Sequence, residues 1–135
     1  MSCMAGFAEA DGRVTIAGAG FRDPRIVQPG KAPRIIRLGG TPLGLSAETS
    51  FENRELVLED DGLLILTTAG VVDAVSPNRE AFGAVRLGEV LQSLADLPPD
   101  RLIAGVQNAW VNHTGTGRWT DDATLAIFSR RGKSL

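Results

Sequence analysis

Two short stretches of this sequence carry side chains suited to chemistry. In Asp121-Asp122-Ala123-Thr124, adjacent carboxylates sit where a loop enters a strand. Side chains alternate across a strand, so at most one of the pair faces a given site. A hard cation such as Mg²⁺ or Mn²⁺ takes a few carboxylate oxygens and keeps several waters. In isolation, an Asp-Asp pair more often forms a solvated turn or a cap. The second stretch, Thr67-Thr68-Ala69-Gly70-Val71-Val72-Asp73, ends an apolar run, and Gly70 there lets the chain turn sharply into a helix or loop. Read alone, it is a strand terminus. Arg118 and Asp122 flank Asp121 as candidates for contact with a phosphoryl group or a protein partner. Trp119 beside them more often packs on a domain edge.

Other chemistries find less support. His113 is the only histidine, which removes histidine metal clusters and paired-histidine acid-base schemes. No Gly-x-Ser-x-Gly elbow accompanies it, and a place near a helix C-terminus, where the dipole favours a cation, explains it. Gly18-Ala19-Gly20 follows a strand, but the third glycine of a dinucleotide fingerprint falls at Asp23. Gly115-Thr116-Gly117 lacks the Lys-Ser/Thr of a phosphate loop and reads as a connector.

The elements that position these residues fall into two halves. Met4–Glu9 and Arg13–Gly18 flank Ala10-Asp11-Gly12, a strong hairpin signal. Arg25–Gln28 and Arg34–Leu38 form a second pair across Pro29-Gly30-Lys31-Ala32-Pro33. Glu55–Glu59 alternates, and Leu63–Thr68 is apolar almost throughout, as in a central strand covered on both faces. The period then changes. Leu87, Val90, Leu91, Leu94 and Leu97 follow helical spacing, as do Leu102, Ile103, Val106, Ala109, Trp110 and His113. Pro98 and Pro99 separate the two helices. Ala123–Ser129 is a last strand. The expected organisation is one partial domain over 1–135, with 1–70 mostly strands, 71–113 helical and 121–131 the final strand. Its class is α+β, antiparallel strands followed by a helix pair and a last strand.

Composition narrows the function classes. Fourteen basic and 16 acidic residues give a net charge of −2 without clustering, so no basic stripe invites nucleic acid. Arg130-Arg131-Gly132-Lys133 reads as a frayed terminus. Cys3 is the only cysteine, which rules out an intramolecular disulfide and fits a cytoplasmic setting. No apolar run is long enough to span a membrane, and the first residues lack the pattern of a secretory signal.

Taken in order, these segments resemble the SpoIIE-like, PPM-type metal-dependent Ser/Thr protein phosphatases. Gly62–Val71 is similar to the family's "GDxLLLYTDGV" strand, and Asn78–Gly83 with Arg86-Leu87 to its "FG..RL" passage. Leu94–Asp100 resembles the family's interhelical turn, and Asp121-Asp122-Ala123-Thr124 its closing "DDxT" strand. Asp11–Thr15, Ala19-Gly20 and Gly40–Leu45 fall in the family's order, so the likeness covers roughly residues 4–131. It implies a two-sheet β-sandwich flanked by helices, with a pair of Mg²⁺ or Mn²⁺ ions that activate water against phosphoserine or phosphothreonine. Asp121 matches the late metal-binding aspartate, and Asp122 the Asn-or-Asp position beside it.

The departures set the functional expectation. Ala69 stands where the family's "TDG" supplies a second aspartate, and a methyl cannot coordinate a hard cation. Ala19-Gly20-Phe21 replaces "AGH". The early "D.YD" and "GDxxGHG" segments, with the metal-bridging aspartate, do not occur in this sequence. The chain is therefore expected to be the C-terminal portion of such a domain, inactive in this form and without a tightly bound metal. The alternative is a degenerate pseudophosphatase that acts as a protein-interaction module in bacterial signalling. Either reading implies a phosphoprotein substrate or a protein partner, and exposed strand edges imply a homo-oligomer.

Overall fold

The Asp11-Gly12 turn joins β1 (Cys3–Ala8) to β2 (Arg13–Ala19), which pair antiparallel from Cys3↔Ala19 to Ala8↔Val14. Asp11 caps the turn by accepting the Arg13 backbone N–H at 3.0 Å, and that bond holds its carboxyl below the usual range. Gly12 is required twice over, by its φ of +94° and because a Cβ would strike the Leu58 carbonyl. The structure, a computed structural model, describes residues 1–115 and 121–131.

β5 (Arg54–Val57) pairs with the other edge of β2, giving a three-stranded sheet in the order β1-β2-β5. β3 (Arg25–Val27), β4 (Arg34–Ile35), β6 (Leu63–Thr67) and β7 (Leu125–Ser129) form a second antiparallel sheet, ordered β4-β3-β6-β7. The Asp60-Asp61-Gly62 turn therefore carries the chain from one sheet to the other. A four-residue helix, α1 (Ala69–Val72), follows β6. Then come α2 (Ala84–Ser93) and α3 (Pro99–Thr114), whose first residue is a proline that lacks only a bond the helix start would not make.

β6 explains the layering. Leu64 faces the first sheet with Val14, Ile16, Ile26 and Leu56, while Leu63 and Ile65 face the helices with Leu87, Leu91, Leu102 and Val106. Its apolar residues thus fill two cores, as the sequence predicts. Leu87, Leu91 and Leu102 are wholly buried, each worth about 1.5–3 kcal/mol.

Several boundaries differ from expectation for local reasons. β4 stops at Ile35 because Pro24, which accepts the Ile36 N–H in register (2.8 Å), has no N–H to return, and the Leu38 N–H goes to the Asp23 carboxylate (3.0 Å). β5 ends at Val57: the Leu58 N–H still donates in register to the Gly12 carbonyl (2.8 Å), but the Gly12 N–H turns back to the Glu9 carbonyl (3.0 Å) and cannot return the bond. Between α1 and α2 the chain is not helical. His113 holds it there, with Nε2 2.8 Å from the Glu80 carbonyl and its ring edge-on to Phe82, centroids 5.6 Å apart.

Candidate functional site

The structure sews the two chemistry-bearing stretches together. The Thr68 hydroxyl donates to the Asp122 carbonyl (3.3 Å) and accepts the Thr124 N–H (2.8 Å), while the Thr68 N–H donates to the Thr124 carbonyl (3.1 Å). Thr68 and Thr124 continue the β6–β7 register, but the Thr124 N–H goes to the Thr68 hydroxyl rather than its carbonyl, so β7 begins at Leu125 rather than Ala123. Gly70 lies directly against the same segment. A Cβ there would collide with the Asp122 carbonyl oxygen and stand 2.7 Å from its carbon. Gly70 has no positive φ, so close approach, not backbone conformation, demands glycine.

α3 supports this junction from behind. Trp110, 5% exposed, donates its indole N–H to the Val71 carbonyl at 2.9 Å. Val71 and Val72 point into the helix-side core. α1 is therefore held by packing on one side and by the 122–124 segment on the other.

Ala69 opens α1 and is partly exposed, between Thr68 and Gly70, which both meet the Asp122 backbone; Asp121 and Asp122 are exposed. One Asp121 carboxylate oxygen already accepts the Asp122 backbone N–H at 2.8 Å. Arg118 and Trp119 lie outside the described residues. Among the described residues no three His, Cys, Asp or Glu side chains gather where they could hold a metal ion. A donor set of two adjacent exposed carboxylates and a methyl does not fit a dedicated Mg²⁺ or Mn²⁺ site.

One contact at this end escaped the sequence reading. Arg22, just after Ala19-Gly20-Phe21, forms an ion pair with Asp73, the C-cap of α1. It ties the loop after β2 to the Ala69 helix. No sequence signal announces a pair 51 positions apart. On the same side Gly20 donates its N–H to the Gly40 carbonyl (3.2 Å), which brings the Gly40–Leu45 loop alongside.

This pairing of a strand–glycine–helix turn with a late Asp-Asp strand matches one family throughout. The family model for stage II sporulation protein E covers residues 1–131. The chain belongs to the SpoIIE family. Its fold is also that of solved SpoIIE-type phosphatase domains. The RsbU and RsbW domains of Rv1364c from Mycobacterium tuberculosis superpose with a TM-score of 0.83 at 25% identity, over 99% of this chain and 37% of that one. The Mn-presoaked phosphatase domain of SpoIIE from Bacillus subtilis gives 0.77 at 13% identity, over 99% and 58%. The SiaA-PP2C domain of Pseudomonas aeruginosa gives 0.73 at 18%, over 88% and 47%. This SpoIIE-family chain thus spans well under two-thirds of each of those chains. A search of curated protein sequences finds no match. Among the described residues no helix is long and apolar enough to cross a membrane.

Proposed function

We propose that this chain is the C-terminal portion of a SpoIIE-type Ser/Thr phosphoprotein phosphatase domain, and that it does not hydrolyse phosphoserine in this form. The observation that carries the reading is Ala69, a methyl at the head of α1, between Thr68 and Gly70, which meet the Asp122 backbone. In the family motif that position supplies a carboxylate to the metal. Asp121 is left as the single recognisable ligand, with Arg118 and Asp122 as the groups for a phosphoryl oxygen or a partner. One carboxylate with waters holds Mn²⁺ or Mg²⁺ only weakly.

A second reading has its own support. The Thr68, Asp122 and Thr124 bonds close the junction with protein groups alone, so the site end needs no metal to keep its shape. That suits a cytoplasmic pseudophosphatase that recognises a protein in bacterial signalling, including as a homo-oligomer.

Calorimetric titration of Mn²⁺ into the chain and into Ala69→Asp, with turnover of a phosphoserine peptide on the same samples, tests the proposal. The unaltered chain should show no saturable binding and no turnover, and Ala69→Asp should bind Mn²⁺ measurably more tightly. Stoichiometric Mn²⁺ binding with turnover by the unaltered chain would overturn it.

A further inference from the structure

On the side of the sandwich away from β1 and β7, β5 ends the three-stranded sheet and β4 the four-stranded one. A cavity of about 970 Å³ runs along these two edges. The strand register fixes what faces it. Cross-strand partners share a face, so Arg54, opposite Ile16, and Arg34, opposite Ile26, both point to the inter-sheet side. Ile16 and Ile26 belong to the core there. Arg54 reaches over the gap, its Nε donating to the Arg37 carbonyl at 3.2 Å. Arg34, Arg37 and Arg54 thus line one mouth, with Leu56 and the half-buried Ile36 as its apolar floor.

Positive charge at this mouth is weakly answered. Among the described residues Arg34 has no ion pair or hydrogen bond. Arg37 and Arg54 pair with Asp23 (3.1 Å) and Glu52 (3.0 Å), but through side chains 81% and 50% exposed, and such pairs yield readily to a competing carboxylate. The acidic groups bordering the cavity are engaged or turned away. Glu9 pairs with Arg13 (2.9 Å), Glu59 with Lys31 (3.0 Å), and Glu55 shares the outer face with Thr15. β5 also offers main-chain groups. The Leu58 N–H turns toward β2 and the Gly12 carbonyl, so by alternation the Glu55 and Val57 N–H and C=O groups point to the open side. Inward-facing charge keeps stray strands off an edge. Here it rejects neutral or basic strands and leaves the edge open to one that brings a carboxylate. A second copy of β5 does not bring one, because its inner face carries only Arg54 and Leu56.

We propose that the β5 edge docks an extended acidic segment of a partner protein, added as a strand that sets an aspartate or glutamate among Arg34, Arg37 and Arg54. Main-chain bonds to Glu55 and Val57 supply affinity. The carboxylate, with an apolar side chain two residues away over Leu56 and Ile36, supplies register. No group of the Asp121 end takes part, so the proposal stands whether or not that end holds Mn²⁺.

The test uses the whole chain and two fluorescein-labelled peptides, Thr-Leu-Thr-Asp-Thr-Leu and the same peptide with lysine for aspartate, read by anisotropy. The aspartate peptide should bind saturably and at least about tenfold more tightly than the lysine peptide, since like charges meeting across an interface are disfavoured. Its binding should weaken with salt and should slow amide exchange at Glu55 and Val57. Arg54→Glu should reverse the preference between the peptides, and Arg34→Glu carries the same test should Arg54→Glu not fold. Arg101→Glu, on the exposed face of α3, should change neither affinity. Equal affinities, no saturable binding, or a preference that Arg54→Glu leaves in place overturns the proposal. Protection at β1 or β7 in place of β5 overturns it as well. So does self-association in sedimentation that Arg54→Glu removes, because a second copy is then the occupant. Inorganic phosphate that displaces the peptide at equal concentration, with no protection of the β5 amides, would show an anion site and no docked strand.

Discussion

Substituting Gly70→Ala is the sharpest perturbation of the junction that builds the site. The added methyl would lie 2.7 Å from the Asp122 carbonyl carbon, about 0.8 Å inside the ~3.5 Å contact distance of two carbons. Its other near neighbours are also backbone atoms, Asp122 O and Ala123 Cα, so no flexible side chain can swing away. The 122–124 segment must retreat, which stretches its three bonds with Thr68. Losing two of them at about 1 kcal/mol each, with roughly 1–3 kcal/mol for overpacking, outweighs the ~1 kcal/mol gained by replacing a helical glycine. The net loss is roughly 2–4 kcal/mol. Gly88→Ala is the matched control, since a Cβ there meets nothing within 4 Å in the middle of α2. It should stabilise by about 0.5–1 kcal/mol. Urea unfolding of both variants, with amide exchange at Thr68 and Thr124, reads the result. Gly70→Ala stability within about 0.5 kcal/mol of the parent, the spread of an ordinary surface substitution, would refute the close-packed junction.

Trp110→Phe removes the indole bond to the Val71 carbonyl and should cost about 1–3 kcal/mol in urea unfolding through the stranded acceptor. An unchanged midpoint would mean that α1 is held without it. Arg25 is 5% exposed, and burial pushes its guanidinium pKa down while Asp23 opposes the shift. Its described bond is to the Ala84 carbonyl at 3.3 Å. Arg25→Met should leave stability unchanged or raise it, because an apolar side chain of similar length avoids burying the charge. A loss above ~2 kcal/mol would contradict that account. The Glu59 carboxyl is held below its usual range by the Lys31 ammonium, with Gln28 assisting. Its depressed value means that its contribution is present above the unfolded-state carboxylate pKa and lost as pH falls through the folded one. Glu59→Gln should therefore flatten the acid limb of the urea midpoint against pH while leaving the neutral limb nearly parallel. An identical acid limb in both proteins would show that the pair contributes nothing.

What could be read from the sequence was what local chemistry decides. The β1–β2 turn follows from Asp11 and Gly12 alone, and β6 from apolar residues that serve two cores at once. α2 and α3 follow from leucine spacing and from Pro98-Pro99. Distant contacts decided the rest. Arg25 reads as a polar strand start, yet it is buried against the first turn of α2, 59 positions away. Arg34–Leu38 reads as a full strand, but Pro24 has no N–H to return the Ile36 bond and the Asp23 carboxylate takes the Leu38 N–H. At the candidate site, the residue types at Ala69 and Asp121 were visible. Their adjacency was not, because it depends on Thr68 bonding Thr124 and on Gly70 admitting the Asp122 backbone. The Arg22–Asp73 pair left no trace in sequence, since neither residue belongs to a periodic pattern or a turn that needs it.

The junction is built from groups other than the side chain at position 69. A metal centre that holds its own fold together unravels when a ligand is removed, because binding free energy is then folding free energy. Here the two stretches meet through a hydroxyl, four backbone groups and a glycine, braced by Trp110. None of these uses the carboxylates. The Asp121 carboxylate accepts its neighbour's N–H, and the Ala69 side chain has no polar atom. The Thr68 bonds and the close approach at Gly70 therefore carry the junction, and the methyl of Ala69 carries none of its hydrogen bonds.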